Sequence, residues 1–258
     1  MQDLSISIVS YNNKQVIREC LDTLFSTLSG KISVQVYIVN NSQTERCDDL
    51  ERFYPVKVIQ LPKNVGFGKG HNAVLPLIDS KYHAIVNPDI VFTEEVFEKL
   101  IADLEKNPEV GCAAPLMYCS NGNLQDVYRR ELTVLDFLAR YAPRYIRSIP
   151  IINHRRKWHV MADVQKDKPF ECDFIQGSFL VIPSALLKKI NGFDDRYFMY
   201  AEDADLCKRI RQTHKVVCFP DCHIIHKWEK ASHRSFKLCR IHCTSLVKYF
   251  FKWGWKLW

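Results

Sequence analysis

Three acidic side chains are clustered where the sequence predicts the start of a helix. Glu202, Asp203 and Asp205 follow an aromatic-rich run at residues 197–200. Acids in the first turn of a helix interact favourably with the helix dipole, and this structural explanation accounts for two of them. It does not account for the aromatic wall beside them, and a carboxylate in such a setting is a candidate general base.

A second carboxylate follows a short apolar strand predicted at residues 83–86. In the triplet Asn87-Pro88-Asp89, the carboxylate of Asp89 could bind Mg²⁺ or Mn²⁺ while a diphosphate supplies further oxygens. Taken alone, the triplet fits a proline-containing turn capped by the aspartate at least as well. The metal interpretation therefore depends on what lies around it.

A glycine-bearing loop at residues 64–70 could bring its backbone and the ammonium of Lys69 close to a diphosphate or a ribose. The loop does not match the dinucleotide-binding fingerprint, because His71 occupies the position of the last glycine and the loop does not follow the first strand. It does not match a P-loop either. An ordinary turn remains the alternative.

The elements that must position these residues alternate between strand and helix. Apolar and β-branched runs predict strands at residues 4–10, 34–39, 56–61 and 83–86. A periodicity of about 3.6 residues predicts helices at residues 14–28, 71–78 and 94–105. Such alternation is typical of βαβ units and predicts an α/β fold with a parallel sheet.

This alternation breaks from about residue 111. Residues 129–169 are basic and aromatic and are predicted to be irregular, with cationic side chains at Arg129, Arg130, Arg140, Arg144, Arg147, Arg155, Arg156 and Lys157. Regular structure is predicted again as a strand at residues 174–183, a helix from Ser184, a helix at 203–212 and short strands at 216–219 and 223–225.

Polar residues follow several of the predicted strands. These clusters are Tyr11-Asn12-Asn13, Asn40-Asn41-Ser42, residues 64–72 and Asn87-Pro88-Asp89. Ligands of open α/β sheets bind beyond the carboxyl ends of the strands. One such cluster would mean little, because asparagine and serine favour turns, but four at one edge predict a site for a polar ligand with several parts.

The bulk composition fits one large globular domain and limits the kinds of binding partner to be expected. The chain has 258 residues, of which 47% are hydrophobic and 25% charged. The net charge of +7 favours anionic partners such as phosphates, acidic lipids or nucleic acid. No nucleic-acid-binding module is visible, so a nucleic acid partner is not expected.

The ten cysteines include no CxxC pair. The first residues show no secretory signal, and no run approaches the roughly 18–20 apolar residues of a membrane-spanning helix. We therefore expect a cytoplasmic protein with free thiols. A zinc site in the Cys- and His-rich region 218–243 is the alternative, although its CxxxC spacings fit no zinc ribbon or finger.

The motifs together resemble a known family. From residue 4 to residue 226, the ordered set YNN, NNS, NVGFGKGHN, NPD, FIQGSF, NGFDDRYFMYAEDADLCKR and IIH resembles the family 2 glycosyltransferases. The closest resemblance is to the bacterial rhamnosyltransferase-like branch, which builds O-antigen, lipopolysaccharide, capsule or cell-wall polysaccharide. It implies a GT-A (Rossmann-like) fold with a mixed, mainly parallel sheet flanked by helices. It also implies a nucleotide-sugar donor, a divalent cation (Mg²⁺ or Mn²⁺) and inversion at the anomeric carbon.

The resemblance assigns roles to individual residues. The residues that would bind the donor are Tyr11, Asn13 and Asn41 at the base, Asn64, Gly66, Phe67 and Asn72 at the ribose and diphosphate, Asn87 in the metal triplet, and Gly177 and Ser178 beside the sugar. Asp89 would be the main metal ligand, with His226 joining the metal or the diphosphate. Asp203 would be the catalytic base, and Glu202 would help to orient the acceptor. The residues that would bind the acceptor are Arg129, Arg130 and Tyr200.

Two positions depart from the family pattern. Asn40 stands where the family usually has aspartate, which leaves the base preference open. Asn87 begins the metal triplet in place of aspartate, so fewer charges surround the ion.

The expected reaction is a metal-assisted single displacement. Rhamnose from dTDP-rhamnose is the leading donor, and a lipid-linked (polyprenyl-diphosphate) or surface-polysaccharide acceptor would receive it. A UDP-hexose-dependent enzyme of the same fold is one alternative. A catalytically inert nucleotide-sugar-binding or scaffold protein is the other, and the presence of Asp89, Glu202 and Asp203 argues against it.

The expected organisation is a GT-A domain at residues 1–238, with a nucleotide-binding half at about 1–110 and an acceptor and catalytic half at 111–238. Residues 239–258 form a predicted amphipathic helix whose basic stripe is Arg240, Thr244, Lys248, Lys252 and Lys256. Aromatic residues surround this stripe. The helix is expected either to lie on the inner face of the plasma membrane or to dock on the domain.

Overall fold

The structure, a computed structural model, describes residues 1–227 and 236–258, with the side chains of Arg144 and Phe236 left aside. Its centre is a nine-stranded mixed sheet, accompanied by a two-stranded one. The strands are β1 (Gln2–Ser10), β2 (Val34–Asn40), β3 (Val56–Gln60), β4 (Ser80–Val86), β5 (Ile90–Phe92), β6 (Val110–Tyr118), β7 (Tyr128–Arg129), β8 (Phe170–Glu171), β9 (Phe174–Ile175), β10 (Phe179–Pro183) and β11 (Lys215–His226).

The large sheet has the order β3-β2-β1-β4-β10-β6-β11-β5, and β8 pairs with β11. Strands β1 to β4 are parallel to one another. Strand β10 runs antiparallel to both β4 and β6, β11 is parallel to β6, and β5 is antiparallel to β11. The predicted α/β fold with a mixed sheet is confirmed. The small sheet pairs β7 with β9.

Helices flank the sheet and cover its apolar side chains. They are α1 (Lys14–Thr27), α2 (Phe67–Asn72), α3 (Val96–Lys106), α4 (Val134–Tyr141), α5 (Arg144–Arg147), α6 (Pro150–His159), α7 (Ser184–Lys189), α8 (Glu202–Ile210) and α9 (Phe236–Trp253). In α1, Ile17, Leu21 and Leu24 recur at helical spacing and are fully buried. The strands they cover are buried on both faces, as parallel strands between helices usually are.

Several predicted boundaries are wrong. The helix predicted at residues 71–78 is α2, which begins at Phe67 inside the glycine loop, followed by a separate 3₁₀ turn at Leu75–Leu77. The strand predicted at 174–183 is interrupted at residues 176–178, and the two strands predicted at 216–225 form the single strand β11. In β11 the pairing register shifts between Phe219 and His223, which explains the apparent break.

Residues 129–169 are not irregular. They contain α4, α5 and α6. Helix α4 begins with a capping box in which Thr133 and Asp136 exchange side-chain and backbone hydrogen bonds. The buried carboxylate of Asp136 also pairs with Arg155 of α6 at 2.8 Å, so a long-range ion pair fixes helices that composition alone does not predict.

The C-terminal helix α9 is docked on the domain. Leu246, Tyr249 and Phe250 are buried against it, and the helix ends at Trp253 before Gly254, whose φ of +90° no longer fits a helix. Three members of the predicted basic stripe point to the domain: Lys248 donates to the carbonyl of Arg196, Lys252 pairs with Asp194 and Asp205, and Lys256 pairs with Glu131. None of the described helices has the length and apolar character to cross a membrane.

Candidate active site

Six elements present their polar ends at one edge of the large sheet. Strands β1, β2, β4 and β11 run in one direction and end there, whereas β5 and β10 run the other way and begin there. The residues at this edge therefore include Tyr11, Asn41, Asn87, Asp89, Ser178 and His226. The convergence follows from strand direction, because equivalent ends of parallel strands lie on the same side of a sheet.

Asp89 and His226 meet through the pairing of two strands. The β5–β11 register aligns Ile90 with His226, and the backbone N–H of Lys227 donates to the carbonyl of Asp89 at 2.9 Å. The carboxylate Oδ1 of Asp89 then lies 3.3 Å from Nε2 of His226. These two residues are 137 positions apart in the chain, and the sheet brings them into contact.

Gln125 orients His226, although the sequence did not indicate this role. Its amide donates to the backbone carbonyl of His226 at 2.8 Å, and its Oε1 lies 2.9 Å from the imidazole Nδ1. An amide oxygen only accepts hydrogen bonds, so Nδ1 carries the proton and Nε2 is directed at Asp89. A single glutamine in an irregular stretch offers no sequence signal for this role.

The chemistry of these side chains fits a divalent cation. Oδ1 of Asn87 and Oδ1 of Asp89 are buried and make no hydrogen bond to any of residues 1–227 or 236–258. Carboxylate and amide oxygens are the ligands that Mg²⁺ and Mn²⁺ prefer. Within the described part of the chain, no cluster of three or more His, Cys, Asp or Glu side chains is placed to hold a metal ion. All ten cysteines are free.

The glycine loop rests directly on the segment that leads to α8. The N–H of Phe67 donates to the carbonyl of Phe198 at 2.9 Å. Gly66 has φ of +92°, and a Cβ there would collide with that same carbonyl. Asn64 accepts from the N–H of Gly66, while the buried Asn41 accepts from Val65 and donates to the carbonyl of Gly66. Only glycine fits this position.

Asn72 connects the same two segments. Its amide group exchanges two hydrogen bonds with the backbone of Phe193 and donates to Asp195. Asn41 and Asn72 were predicted to bind the donor. In the structure their side chains fix the segments that border the site. Phe67 stacks edge-on against Phe193 with ring centroids 5.8 Å apart, which extends this contact into the apolar core.

The remaining donor-site residues occupy the rim and floor of the edge. Tyr11 is 53% exposed. Asn13 accepts from Ser10 and from the N–H of Tyr11, which shapes the turn after β1. Ser178 is buried, and its carbonyl accepts from the N–H of Asn87 at 2.8 Å. The metal triplet and the segment at 176–178 are thus in direct contact.

Asp203 lies beside that segment. The N–H of Gly177 donates to its Oδ2 at 3.2 Å, and its own helix supplies the N–H of Ala204 to Oδ1 at 2.8 Å. Burial raises the pKa of Asp203, and the two amide donors and the Arg129 guanidinium oppose this effect. The carboxylate therefore combines raised basicity with a fixed orientation, as a general base requires.

A strained turn precedes the acidic pair, which is Glu202 and Asp203. Tyr200 and Ala201 have φ of +71° and +63°, a conformation that costs non-glycine residues about 1–3 kcal/mol each. Helix α9 supports the turn, because Ser245 donates to the carbonyl of Met199 at 2.8 Å and the ring of His242 lies 4.7 Å from that of Tyr200. Burial, reinforced by neighbouring Asp203, holds the pKa of Glu202 well above its usual range. Burial therefore favours the neutral form of this carboxyl group.

The two arginines predicted to bind the acceptor have different surroundings. Arg130 forms a bidentate ion pair with Asp163 and stacks on Trp158, so its guanidinium is committed to that pair. Arg129 donates to the carbonyl of Asp126 and makes no ion pair with a described acid. Burial, together with the nearby charge of Arg140, lowers the pKa of Arg129 to about 10. The Arg129 guanidinium interacts electrostatically with Asp203 and forms no ion pair within the described residues, so it suits an anionic ligand.

Comparisons with known proteins agree with this geometry. The family described as Glycosyl transferase family 2 matches residues 5–176. The chain is 28% identical over 199 residues to Rhamnosyltransferase WbbL of Escherichia coli (strain K12), which covers 71% of this chain and 69% of that protein. It is 23% identical over 245 residues to an N-acetylglucosaminyl-diphospho-decaprenol L-rhamnosyltransferase of Mycobacterium tuberculosis, covering 86% and 75%.

A solved structure shares the fold. The crystal structure of GalNAc-T7 with UDP, GalNAc and Mn²⁺ superposes with a TM-score of 0.66 at 16% sequence identity, over 90% of this chain and 44% of that one. This chain thus spans less than half of that structure, and the likeness shows the fold alone. The family match covers most of the chain, and the two curated relatives described above are named as rhamnosyltransferases. The chain therefore belongs to glycosyl transferase family 2 and is a glycosyltransferase.

Proposed function

We propose that this glycosyltransferase is an inverting enzyme that transfers rhamnose from dTDP-rhamnose to a lipid-linked or surface-polysaccharide acceptor. One observation carries the proposal: the segment at 176–178 contacts Asn87 on one side and Asp203 on the other. A metal-bound diphosphate and a catalytic base would therefore share one cavity. The names of the two curated relatives support rhamnose as the sugar.

In the proposed reaction, Oδ1 or Oδ2 of Asp203 accepts the proton of an acceptor hydroxyl. The oxygen of that hydroxyl forms a bond to the anomeric carbon from the face opposite the leaving group. The bond between the anomeric carbon and the diphosphate oxygen breaks, the nucleoside diphosphate leaves, and the configuration inverts. The hydrogen bond from Gly177 holds the carboxylate in place for this step.

Asp89, Asn87 and His226 would hold a divalent cation. Such an ion, when bound, neutralises charge that develops on the leaving diphosphate. Gln125 directs Nε2 of His226 towards Asp89, and the backbone of the loop at 64–68 would contact the phosphates. Tyr11 and Asn13 at the rim would contact the base, and Gly177 and Ser178 would border the sugar.

The acceptor would enter on the side of Arg129. The charge interactions of Arg129 with Arg140 and with Asp203 support this entry side: a diphosphate of a polyprenyl-linked acceptor would bind the guanidiniums while its sugar faces Asp203. The relative from Mycobacterium tuberculosis is named for an acceptor of this chemical class. Tyr200 would line the same side. In this proposal residues 1 to about 110 form the nucleotide-binding half and residues 111–238 form the acceptor and catalytic half, at the inner face of the plasma membrane.

The test is a transfer assay on the purified chain. The donors are dTDP-rhamnose and UDP-hexoses, the acceptor is a short polyprenyl-diphosphate-linked N-acetylglucosamine, and each reaction is run with Mn²⁺, with Mg²⁺ and with EDTA. We expect transfer of rhamnose that EDTA abolishes. Transfer only from a UDP-hexose would mean that the donor is a UDP-hexose and not dTDP-rhamnose. Nucleotide-sugar binding without transfer or hydrolysis would mean that the chain is a binding or scaffold protein and not an enzyme.

A further inference from the structure

Helices α4 to α6 form a basic and apolar surface. Residues 137–162 contain five arginines and one lysine but no aspartate or glutamate. Leu138, Tyr145 and Ile151 project from these helices and are exposed, Tyr145 by 73%. Isolated apolar side chains on a surface are ordinary, but a concentration of them marks an interaction site.

The end of the chain continues this surface. The carbonyls of Lys256 and Leu257 accept from the N–H groups of Val134 and Leu135, so the last residues pack against the first turn of α4. Phe251, Trp255 and Leu257 are exposed there. We define the apolar patch as Leu138, Tyr145, Ile151, Phe251, Trp255 and Leu257.

The patch is where the exposed apolar surface is concentrated. Of the sixteen large hydrophobic side chains that are exposed in the described ranges, ten lie between residues 138 and 151 or between 247 and 258. The ring of Trp258 lies 5.6 Å from the guanidinium of Arg155 on α6, which shows that the two groups adjoin. The concentration is therefore a property of one side of the protein.

Charge identifies the occupant of this surface. Arg140, Arg147 and Arg156 form no ion pair with any acid in the described ranges, and Arg147 and Arg156 line one shallow cavity. A bilayer with anionic headgroups offers both an apolar layer and negative charge, and aromatic residues favour its interface. A second copy of this chain would bring the same positive charge to the contact.

We propose that the apolar patch and its arginines dock the protein on an anionic lipid bilayer. The membrane-facing surface is thus α4 to α6 with the chain end, whereas Lys248 and Lys252 of the α9 stripe bind groups of the domain. Tyr141 contacts His242, whose ring packs on Tyr200 beside the acidic pair, so the patch borders the acceptor side of the site. Docking itself does not depend on the proposed reaction, since it requires neither donor nor acceptor.

The experiment is flotation with vesicles in the absence of any substrate. Vesicles of phosphatidylcholine with about one third phosphatidylglycerol are compared with pure phosphatidylcholine. One variant combines Leu138→Ser, Tyr145→Ser and Ile151→Ser, and another combines Arg147→Ser and Arg156→Ser. The control combines Phe53→Ser and Leu77→Ser, which are exposed apolar residues outside the patch.

We expect the wild type and the control to float with anionic vesicles, and each patch variant to bind on the order of tenfold more weakly. Unchanged thermal unfolding and unchanged nucleotide binding would show that the variants fold. A second measurement serves if a patch variant does not fold. Brominated lipids should then quench the tryptophan fluorescence of the wild type, and the double variant Trp255→Phe and Trp258→Phe should lose most of that quenching.

Three results would overturn the inference. The first is a wild type that does not float. The second is equal loss of flotation in the control, which would mean that the patch is not the docking surface. The third is light scattering that finds a wild-type dimer and a monomeric patch variant, which would assign the patch to a second copy.

Discussion

The backbone N–H of Gly177 donates to the carboxylate of Asp203 at 3.2 Å, and Gly177 has almost no room for a side chain. A Cβ at this position would lie 3.3 Å from Cε1 of Phe67 and 3.4 Å from Cβ of Asp203. The donor loop, the strand segment at 176–178 and the acidic helix therefore meet at one glycine. Gly177 thus sets the distance between the donor loop and the acidic helix.

Gly177→Ala should reduce transfer while the protein stays folded. The ring of Phe67 would have to move by a few tenths of an ångström to admit the added methyl, which would also touch Cβ of Asp203. Small misplacements of a reacting group slow catalysis by about tenfold or more. Steady-state kinetics should show the loss mainly in kcat. The control is Gly122→Ala, where a Cβ meets nothing within 4 Å although its φ is +79°. Unchanged kcat in the Gly177 variant would contradict the positioning role.

Asp203→Asn should remove transfer and leave donor binding nearly intact. The amide keeps the size and the hydrogen bond from Gly177 but cannot accept a proton from the acceptor, so the rate should fall by about 10²–10⁴-fold. Transfer assays and calorimetric titration with the nucleotide sugar measure the two properties separately. Asp221→Asn, at an exposed position, is the control. A fully active Asp203 variant would remove this residue from the role of base.

Asp89→Ala should weaken nucleotide binding only when the metal is present. The change removes a carboxylate that would bind the cation, so affinity in Mn²⁺ should fall by on the order of tenfold or more, whereas affinity in EDTA should not change. Calorimetry with the nucleoside diphosphate measures both. His226→Ala should act in the same direction, and His223→Ala, an exposed histidine on the same strand, should not. Equal affinities in all variants would refute a metal site at this edge.

Glu202→Gln should change how stability depends on pH. Burial raises the pKa of Glu202 above its value in the unfolded chain, so its stabilising contribution is complete below the unfolded pKa and is lost as pH rises through the folded pKa. The glutamine has no proton to lose. At about pH 8 the variant should therefore unfold at a higher temperature than the wild type, by about 2–4 °C for each kcal/mol relieved.

The comparison of Glu202→Gln with the wild type at low pH is the control. At about pH 3, well below the unfolded pKa, the wild-type acid is protonated in both states, so the difference in unfolding temperature should be smallest there. Differential scanning calorimetry across this range is the measurement. A wild type that gains stability relative to the variant as pH rises would mean that Glu202 is ionised and stabilised in the folded protein.

The amino-acid sequence alone determined the alternating strands and helices of the first half and the motifs at their ends. Local periodicity fixes those elements, and the rule that equivalent ends of parallel strands lie together then brings Tyr11, Asn41 and Asn87 to one edge. The family resemblance, now confirmed, rested on the same short motifs. Contacts within a few residues and strand direction suffice for this much.

Only the tertiary structure decided the contacts between distant segments. Gln125 faces His226 because β6, β11 and the turn after β6 pack together, and no periodicity in the sequence indicates such a pair. The buried pair Asp136–Arg155 joins two of the helices in residues 129–169, and Lys252 of the α9 stripe faces inward because Asp194 and Asp205 lie beneath it. A helical pattern shows which residues share a face, but the partner that covers the face is set by long-range packing.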